Sequence, residues 1–178
     1  NAPAFRRKVL LWSREAWSEV DQVGDGSLPS GRFVSGVTPT PIGTVRILGL
    51  CIQWRDANVR TGRRDREAWE DHVAYLQGLR GVLAELDSDI PTILVGDFNQ
   101  QVPRKRVPRR VFDAFTDVFA DWRFVTEGEI PGTGRQTIDH VAINGGLRCV
   151  VVFGWRGQTD DGMKLSDHEG VVTRLKSD

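Results

Sequence analysis

The run Pro91-Thr92-Ile93-Leu94-Val95, followed at once by Gly96-Asp97-Phe98-Asn99, constrains this chain more than any other stretch. The run is brief, apolar and rich in β-branched residues, and a glycine stops it, so it reads as a buried strand. Such a strand ends by presenting a carboxylate and, two residues on, a carboxamide. In open α/β sheets, chemistry collects at the carboxyl ends of strands. Residues two apart share a strand face, so Asp97 and Asn99 point into one pocket. The carboxylate can accept a proton or orient a water, and the amide can donate to a phosphate oxygen without adding negative charge. The competing reading is an Asx turn that merely closes a strand.

A chain of 178 residues, 39% hydrophobic and 27% charged, suits one soluble domain with a real core. Formal net charge is zero, so no global field recruits polyanions. Arginine outnumbers lysine, which suits bidentate phosphate contacts but equally reflects genome composition. Cys51 and Cys149 both lie in apolar runs and read as free thiols rather than a disulfide or a metal pair. No stretch approaches ~18 apolar residues, the length needed to span a bilayer. With no signal peptide visible, a soluble, cytoplasmic chain is the expectation, without contact to membranes. The sequence begins with Asn1 rather than Met.

Taken in order, Arg7–Trp12 reads as a strand, Gly31–Thr38 as a second and Gly43–Trp54 as a stronger third. Residues 55–66 form a polar loop rich in arginine. A long amphipathic helix is expected over Arg64–Leu86, with Trp69, Val73, Leu76, Leu79, Leu83 and Leu86 recurring at spacings of three and four. After the Gly-Asp-Phe-Asn strand comes a basic loop, Gln100–Arg110, holding Arg104, Lys105, Arg106, Arg109 and Arg110. It reads either as a solvated surface or as a clamp for phosphate. Val111–Ala120 is a short helix with Phe112, Phe115 and Phe119 on one face, an aromatic stripe for the core. Trp122–Thr126 is a further strand, and Glu127–Arg135 a Gly/Pro loop. Thr137–Asn144 and Leu147–Phe153 are strands joined as a hairpin by Asn144-Gly145-Gly146. Gly170–Leu175 is the last strand.

Two further acidic clusters follow, Ile138-Asp139-His140 and Ser166-Asp167-His168. A carboxylate beside a histidine fixes the imidazole's tautomer and favours its protonated form. A protonated imidazole stabilises charge developing on a phosphoryl oxygen. A second carboxylate can bind Mg²⁺, a hard ion that takes few ligands from protein. Together the pieces suit metal-assisted phosphodiester hydrolysis.

In these three motifs, taken in order, the chain resembles the endonuclease/exonuclease/phosphatase superfamily, the fold of DNase I and the exonuclease III-type repair nucleases. The likeness covers most of the chain from Lys8 onward. It implies an α/β fold in which a two-sheet β-sandwich is flanked by helices. It implies Asp97, Asn99, Asp139 and His168 as catalytic residues. Asp97 would activate the water, Asn99 would contact the scissile phosphate, and Asp139 would hold His168 against the transition state. Asp167, with Asp97, would sit at the metal, Mg²⁺ or alternatively Mn²⁺. The basic residues Arg104, Lys105, Arg106, Arg109 and Arg63 would hold substrate phosphates, with nucleic acid or another phosphodiester as the partner. His140 should point to the opposite sheet face and be structural, and His72 should be a surface or packing histidine.

The sequence departs from the family in two places. The family has a phosphate-contacting His or Tyr on the strand matching Leu48–Trp54, where this chain offers only Gln53, Trp54 or Arg55 as substitutes. It also opens with a strand–helix–strand unit bearing the main metal-ligand Glu, and Lys8–Arg14 looks like the strand after that unit. Glu15 and Glu19 match no family motif. Residues 1–178 are therefore read as one domain of this type, incomplete at its N-terminus. The expectation is a Mg²⁺-dependent phosphodiesterase, weak as it stands, and prone to self-association or to complementation by an N-terminal segment. A silent polyanion-binding module that has lost the metal-ligand Glu is the alternative, and a structural fragment without activity is a third reading.

Overall fold

The computed structural model describes residues 7–24, 26–59 and 66–178. Its elements are β1 (Ser18–Asp21), β2 (Phe33–Thr40), β3 (Gly43–Cys51), α1 (Glu70–Ala84), β4 (Thr92–Asp97) and α2 (Arg109–Val118), then β5 (Arg123–Phe124), β6 (Glu129–Ile130), β7 (Arg135–Gln136), β8 (Asp139–Ile143), β9 (Leu147–Trp155) and β10 (Gly170–Ser177). Six strands form the central sheet in the order β1-β2-β3-β4-β8-β5. β4 runs parallel to β3 and antiparallel to β8, so the Gly-Asp-Phe-Asn strand lies in the middle of the sheet. β9 and β10 make a separate two-stranded sheet, and β6 and β7 a short ladder.

Strand alternation sorts the side chains into two layers. On one face Leu48, Leu50, Leu94 and Ala142 pack under α1 and α2, against Tyr75, Leu76, Leu79, Phe115 and Phe119. On the other, Val45, Ile93 and Ile143 meet Leu147 of β9, with Leu175 of β10 beside them. The arrangement is therefore layered α/β: helices, a six-stranded sheet, then a second small sheet. The Phe stripe on α2 goes into the core as expected, and its Phe115 and Phe119 rings pack around Phe98 at centroid distances of 6.3 and 5.4 Å.

Several local expectations are corrected. Arg7–Trp12 is not a strand: it lies over β3, where a Cβ on Gly49 would meet Val9 and Leu11. Its Leu10 and Trp12 side chains face solvent, 85% and 78% exposed. Ser18–Asp21 pairs with β2 instead. The long helix starts at Glu70, and the beginning expected for it, Arg64, lies outside the described residues, as does Arg63. Its buried face is His72, Tyr75, Leu76, Leu79 and Val82, rotated from the expected stripe so that Val73 borders the groove between α1 and α2. β8 and β9 do not form a hairpin: β8 pairs with β4 and β5, and β9 with β10. Asn144-Gly145-Gly146 instead carries the chain from one layer to the other. Asn144 receives the Thr92 N–H through its side chain at 2.9 Å, and both glycines take positive φ, 65° and 73°.

Candidate active site

β4 ends where the antiparallel β8 begins. Their register places Asp97 opposite Asp139, on the sheet face that looks away from α1 and α2. Gly96 makes this possible: its φ is 133°, and a Cβ there would lie 2.0 Å from the Leu50 carbonyl oxygen on β3. No L side chain fits that approach. Beyond Asp97 the chain turns through Asn99, whose φ of 52° is one that Asn tolerates. The Asn99 backbone N–H donates to Asp97 Oδ1 at 2.9 Å, and its amide nitrogen donates to Asp97 Oδ2 at 2.7 Å and to the Ile52 carbonyl at 2.9 Å. The Asx turn orients the Asp97 carboxylate, so the turn reading does not compete with a functional one. Both amide hydrogens of Asn99 thus serve Asp97 and Ile52.

His168 arrives from the loop before β10. Its Nδ1 donates to Asp139 Oδ2 at 2.8 Å, while its own backbone N–H is held by Ser166 Oγ at 3.0 Å. Asp139 is oriented from behind by Thr137, whose hydroxyl receives the Asp139 N–H at 2.9 Å. Among the described residues, Asp97, Asp139 and His168 form the group whose ligand atoms all lie within 4.8 Å of one another. Asp167 is exposed and not part of it; with Asp139 and His168 it lines a neighbouring shallow cleft. Glu19 is turned to Arg46 at 2.7 Å, and Glu15 is exposed.

The electrostatics follow from crowding acids in a half-buried place. Burial, and then the charge of Asp139, push Asp97 up from 3.8 to about 6, against the opposing hydrogen bonds from Asn99. Burial also raises Asp139, although the His168 hydrogen bond works the other way. For His168, burial favours the neutral ring, but the Asp139 carboxylate and the charges of Asp97 and Asp167 prevail and raise it above its ordinary value. This is a proton-accepting carboxylate next to an imidazole biased toward its charged form.

On the opposite face the histidines are neutral. His140 Nε2 donates to the Gln100 carbonyl at 2.9 Å, and Nδ1 accepts from the Thr126 hydroxyl at 3.0 Å. His72 Nδ1 donates to the Gln53 carbonyl at 2.7 Å and its Nε2 accepts from the Gln100 amide at 2.9 Å. Burial holds both near 4. His140 is structural as expected, and His72 is a packing rather than a surface residue. Gln100, next to Asn99, ties the two together, a role without a local signal because the partners are separated by 28 and 40 positions.

The basic loop divides. Lys105 and Arg106 border a cleft with Asn99, Arg55 and Trp69. Arg104 caps the Val107 carbonyl at 2.9 Å, and Arg109 faces Asp113 at 3.7 Å. The ion pair between Arg135 and Glu169 beside His168 also went unread in the sequence, because only the β6–β7 ladder brings Arg135 there. Cys51, a free thiol, is the β3 neighbour of Asp97, and the Arg32 guanidinium donates to its sulfur at 3.2 Å.

The model of the Endonuclease/Exonuclease/phosphatase family matches residues 4–168. The chain belongs to this family. No protein of curated function matches it in sequence. Among solved structures, an endonuclease/exonuclease/phosphatase from Beutenbergia cavernae is similar with a TM-score of 0.53 at 18% identity, over 93% of this chain and 46% of that one. D. rerio TDP2 complexed with single strand DNA product gives 0.64 at 10% identity, over 92% and 69%. The 3′ phosphatase NExo from Neisseria, bound to product DNA hairpin, gives 0.58 at 15% identity, over 92% and 73%. At these identities the likeness is one of fold, the DNase I-like fold. This endonuclease/exonuclease/phosphatase family chain spans about half the length of the B. cavernae protein, and 58% of a functionally unknown conserved protein from Enterococcus faecalis. No helix among its described residues is long and apolar enough to cross a membrane.

Proposed function

We propose that this chain carries the centre of a divalent-metal-dependent phosphodiester hydrolase acting on nucleic acid. The observation that carries the reading is the convergence of Asp97, Asp139 and His168 within 4.8 Å, where the carboxyl end of β4 meets the amino end of β8, in a member of this family. The donor set fits a hard cation. It offers two carboxylates, and Asp97 is raised first by burial and then by the charge of Asp139, both of which a nearby positive charge would offset. Asp97 and the free oxygen of Asp139 would hold the ion, Mg²⁺ or Mn²⁺, with Asp167 reaching in from the loop. Bound there, the ion supplies charge neutralisation at the phosphate.

The residues of the chain do the rest. Asp97, fixed by its two bonds from Asn99, takes the proton of the attacking water as its oxygen closes on phosphorus. His168, held by Asp139 through Nδ1, presents Nε2–H to the phosphoryl oxygen on which charge gathers while the ester P–O bond breaks. Lys105, Arg106 and Arg55 hold flanking phosphates. Arg104 remains a candidate for a further phosphate, and so does Arg63, which lies outside the described residues.

The test is release of nitrophenol from bis(4-nitrophenyl) phosphate with and without Mg²⁺. Hydrolysis that needs the ion and falls in Asp97→Asn and His168→Ala is the expected result. Metal-independent turnover, or turnover unchanged in both variants, overturns it. One feature favours the silent binding module as the second reading. The oxygens of Asp97 and one of Asp139 already serve Asn99 and His168, which leaves few free ligand positions. Salt-dependent retention of nucleic acid without hydrolysis would select that reading, and activity gained only in an N-terminally extended form would trace the deficit to a missing ligand.

A further inference from the structure

Trp69 stands where neither helix formation nor core packing asks for it. It takes a left-handed backbone, φ 75°, at the first turn of α1, a conformation that bulky residues avoid. The surroundings hold it there. Its N–H donates to the Arg55 carbonyl at 2.7 Å, and its own carbonyl receives the Val73 N–H at 3.0 Å. Its ring meets His72 edge-on at a centroid distance of 5.2 Å. His72 is itself fixed through both ring nitrogens. The indole is thus a rigid, only partly buried aromatic surface, set on an anchored neighbour.

Trp69 forms the ridge between two depressions of opposite character. On one side is a groove lined by Glu67 and Glu70, with Arg110. On the other is a cleft of about 270 Å³ that runs to Asn99 and carries Arg55, Lys105 and Arg106, with no acidic residue among the described residues lining it. The Asn99 side therefore attracts a polyanion, whereas the groove on the other side mixes Glu67 and Glu70, the latter paired with Arg66, with Arg110. The Asn99 cleft shares Gln101 and Ile138 with the cleft lined by Asp139 and His168, so it adjoins the phosphodiester site. Cations for phosphates and an aromatic surface for a ring are the two components of recognition of unpaired nucleic acid.

We infer that Trp69 is a stacking platform for an unpaired nucleobase next to the scissile phosphate, which makes single-stranded nucleic acid the substrate class of this site. The inference rests on the phosphodiester reading above. A base held inside a duplex has both faces covered by its neighbours and cannot use the platform, whereas an unpaired base can.

The test compares two labelled polymers of equal length and charge by fluorescence anisotropy: a single-stranded oligodeoxynucleotide, and its abasic counterpart in which every base is absent. The wild-type chain should bind the base-bearing strand about tenfold or more tightly than the abasic one. Trp69→Ala should lose that margin on the base-bearing strand and leave abasic binding unchanged, while Trp69→Phe should keep most of it. Equal affinity of the wild type for the two polymers overturns the inference even if no variant folds, and leaves the phosphodiester reading standing. Equal losses on both polymers in Trp69→Ala reduce the residue to a structural one and overturn it as well. Failure of the wild type to bind either polymer removes nucleic acid as the substrate, and with it both readings.

Discussion

The two faces of the central sheet are built to different standards. Toward α1 and α2, Leu48, Leu50, Leu94 and Phe98 are sealed beneath a continuous layer of helix side chains. Toward β9 and β10, the buried set is Val45, Ile93, Ile143 and Leu147, and the covering sheet leaves Val150, Phe153, Trp155 and Val172 exposed. The same pair of strands crosses both environments. His140 of β8 falls on the sealed face and is kept neutral, whereas Asp139, one residue earlier, falls on the open face beside Asp97 and His168. The difference shows how a single strand pair can be inert on one side and reactive on the other. Groups meant to exchange protons, or to meet an ion, need the wetter face, where ionisation costs less.

The largest expected effect lies on the open face. Asp97→Asn and His168→Ala should each lower phosphodiester turnover by about 10²–10⁴, with Asp139→Ala less severe and thermal melting retained in all three. Steady-state hydrolysis beside a melting curve checks this. Rates within about threefold of wild type for the first two would move the chemistry elsewhere.

The sealed face should respond in stability instead. Leu94→Ala should cost about 2–5 kcal/mol, and Val172→Ala on the outer sheet should stay within about 0.5 kcal/mol of wild type. Urea unfolding of the pair gives the contrast. Similar losses at both positions would mean that the β9–β10 surface is covered in solution.

A pH series sharpens the comparison further. Asp97 is raised from 3.8 to about 6, and Asp139 and His168 are also raised. The folded chain therefore holds these protons more tightly than the unfolded chain. The stability they contribute is complete at low pH, and Asp97's share is lost as pH rises through about 4 to 6. Loss of the His168 share follows above its ordinary 6.5. A cation held by the same carboxylates opposes the loss, so the rise in Tm caused by Mg²⁺ should be larger at neutral pH than at pH near 5. A Mg²⁺ effect independent of pH would place the ion away from Asp97.

The smallest effect concerns the loop. Lys105→Ala with Arg106→Ala should reduce the log–log salt dependence of nucleic-acid binding by about one unit per lost phosphate contact. Arg109→Ala, already facing Asp113 at 3.7 Å, should leave it unchanged. The reverse ranking would mean that the strand tracks along α2 rather than past Asn99.

Much of the site was legible because its residues announce themselves locally. Gly96-Asp97-Phe98-Asn99 needs only a strand, a glycine and the rule of alternation to put a carboxylate at a strand end. The same alternation correctly separated Asp139 from His140. What failed were readings that depended on partners. Arg7–Trp12 has the composition of a strand yet pairs with nothing as one, and β-propensity yields to the partners available. Asn144-Gly145-Gly146 has hairpin chemistry, but β4 takes one of the two strands it joins and β10 the other. The bonds of the Asn99 amide to Asp97 and Ile52, likewise, become visible only once its neighbours in space are in place.

By itself the sequence determined the buried strand, the acidic and histidine residues that follow strand ends, the aromatic stripe of α2 and the family to which they belong. Those features are set by local periodicity and by residue chemistry, both of which survive without a third dimension. Only the tertiary structure decided which acids meet. Asp97, Asp139 and His168 come from three separate segments and are joined by strand register and one loop, while Asp167, adjacent to His168 in sequence, is exposed and outside that group. It also decided that two histidines are dry and one is wet, because burial is a property of the packed layers and not of the residue.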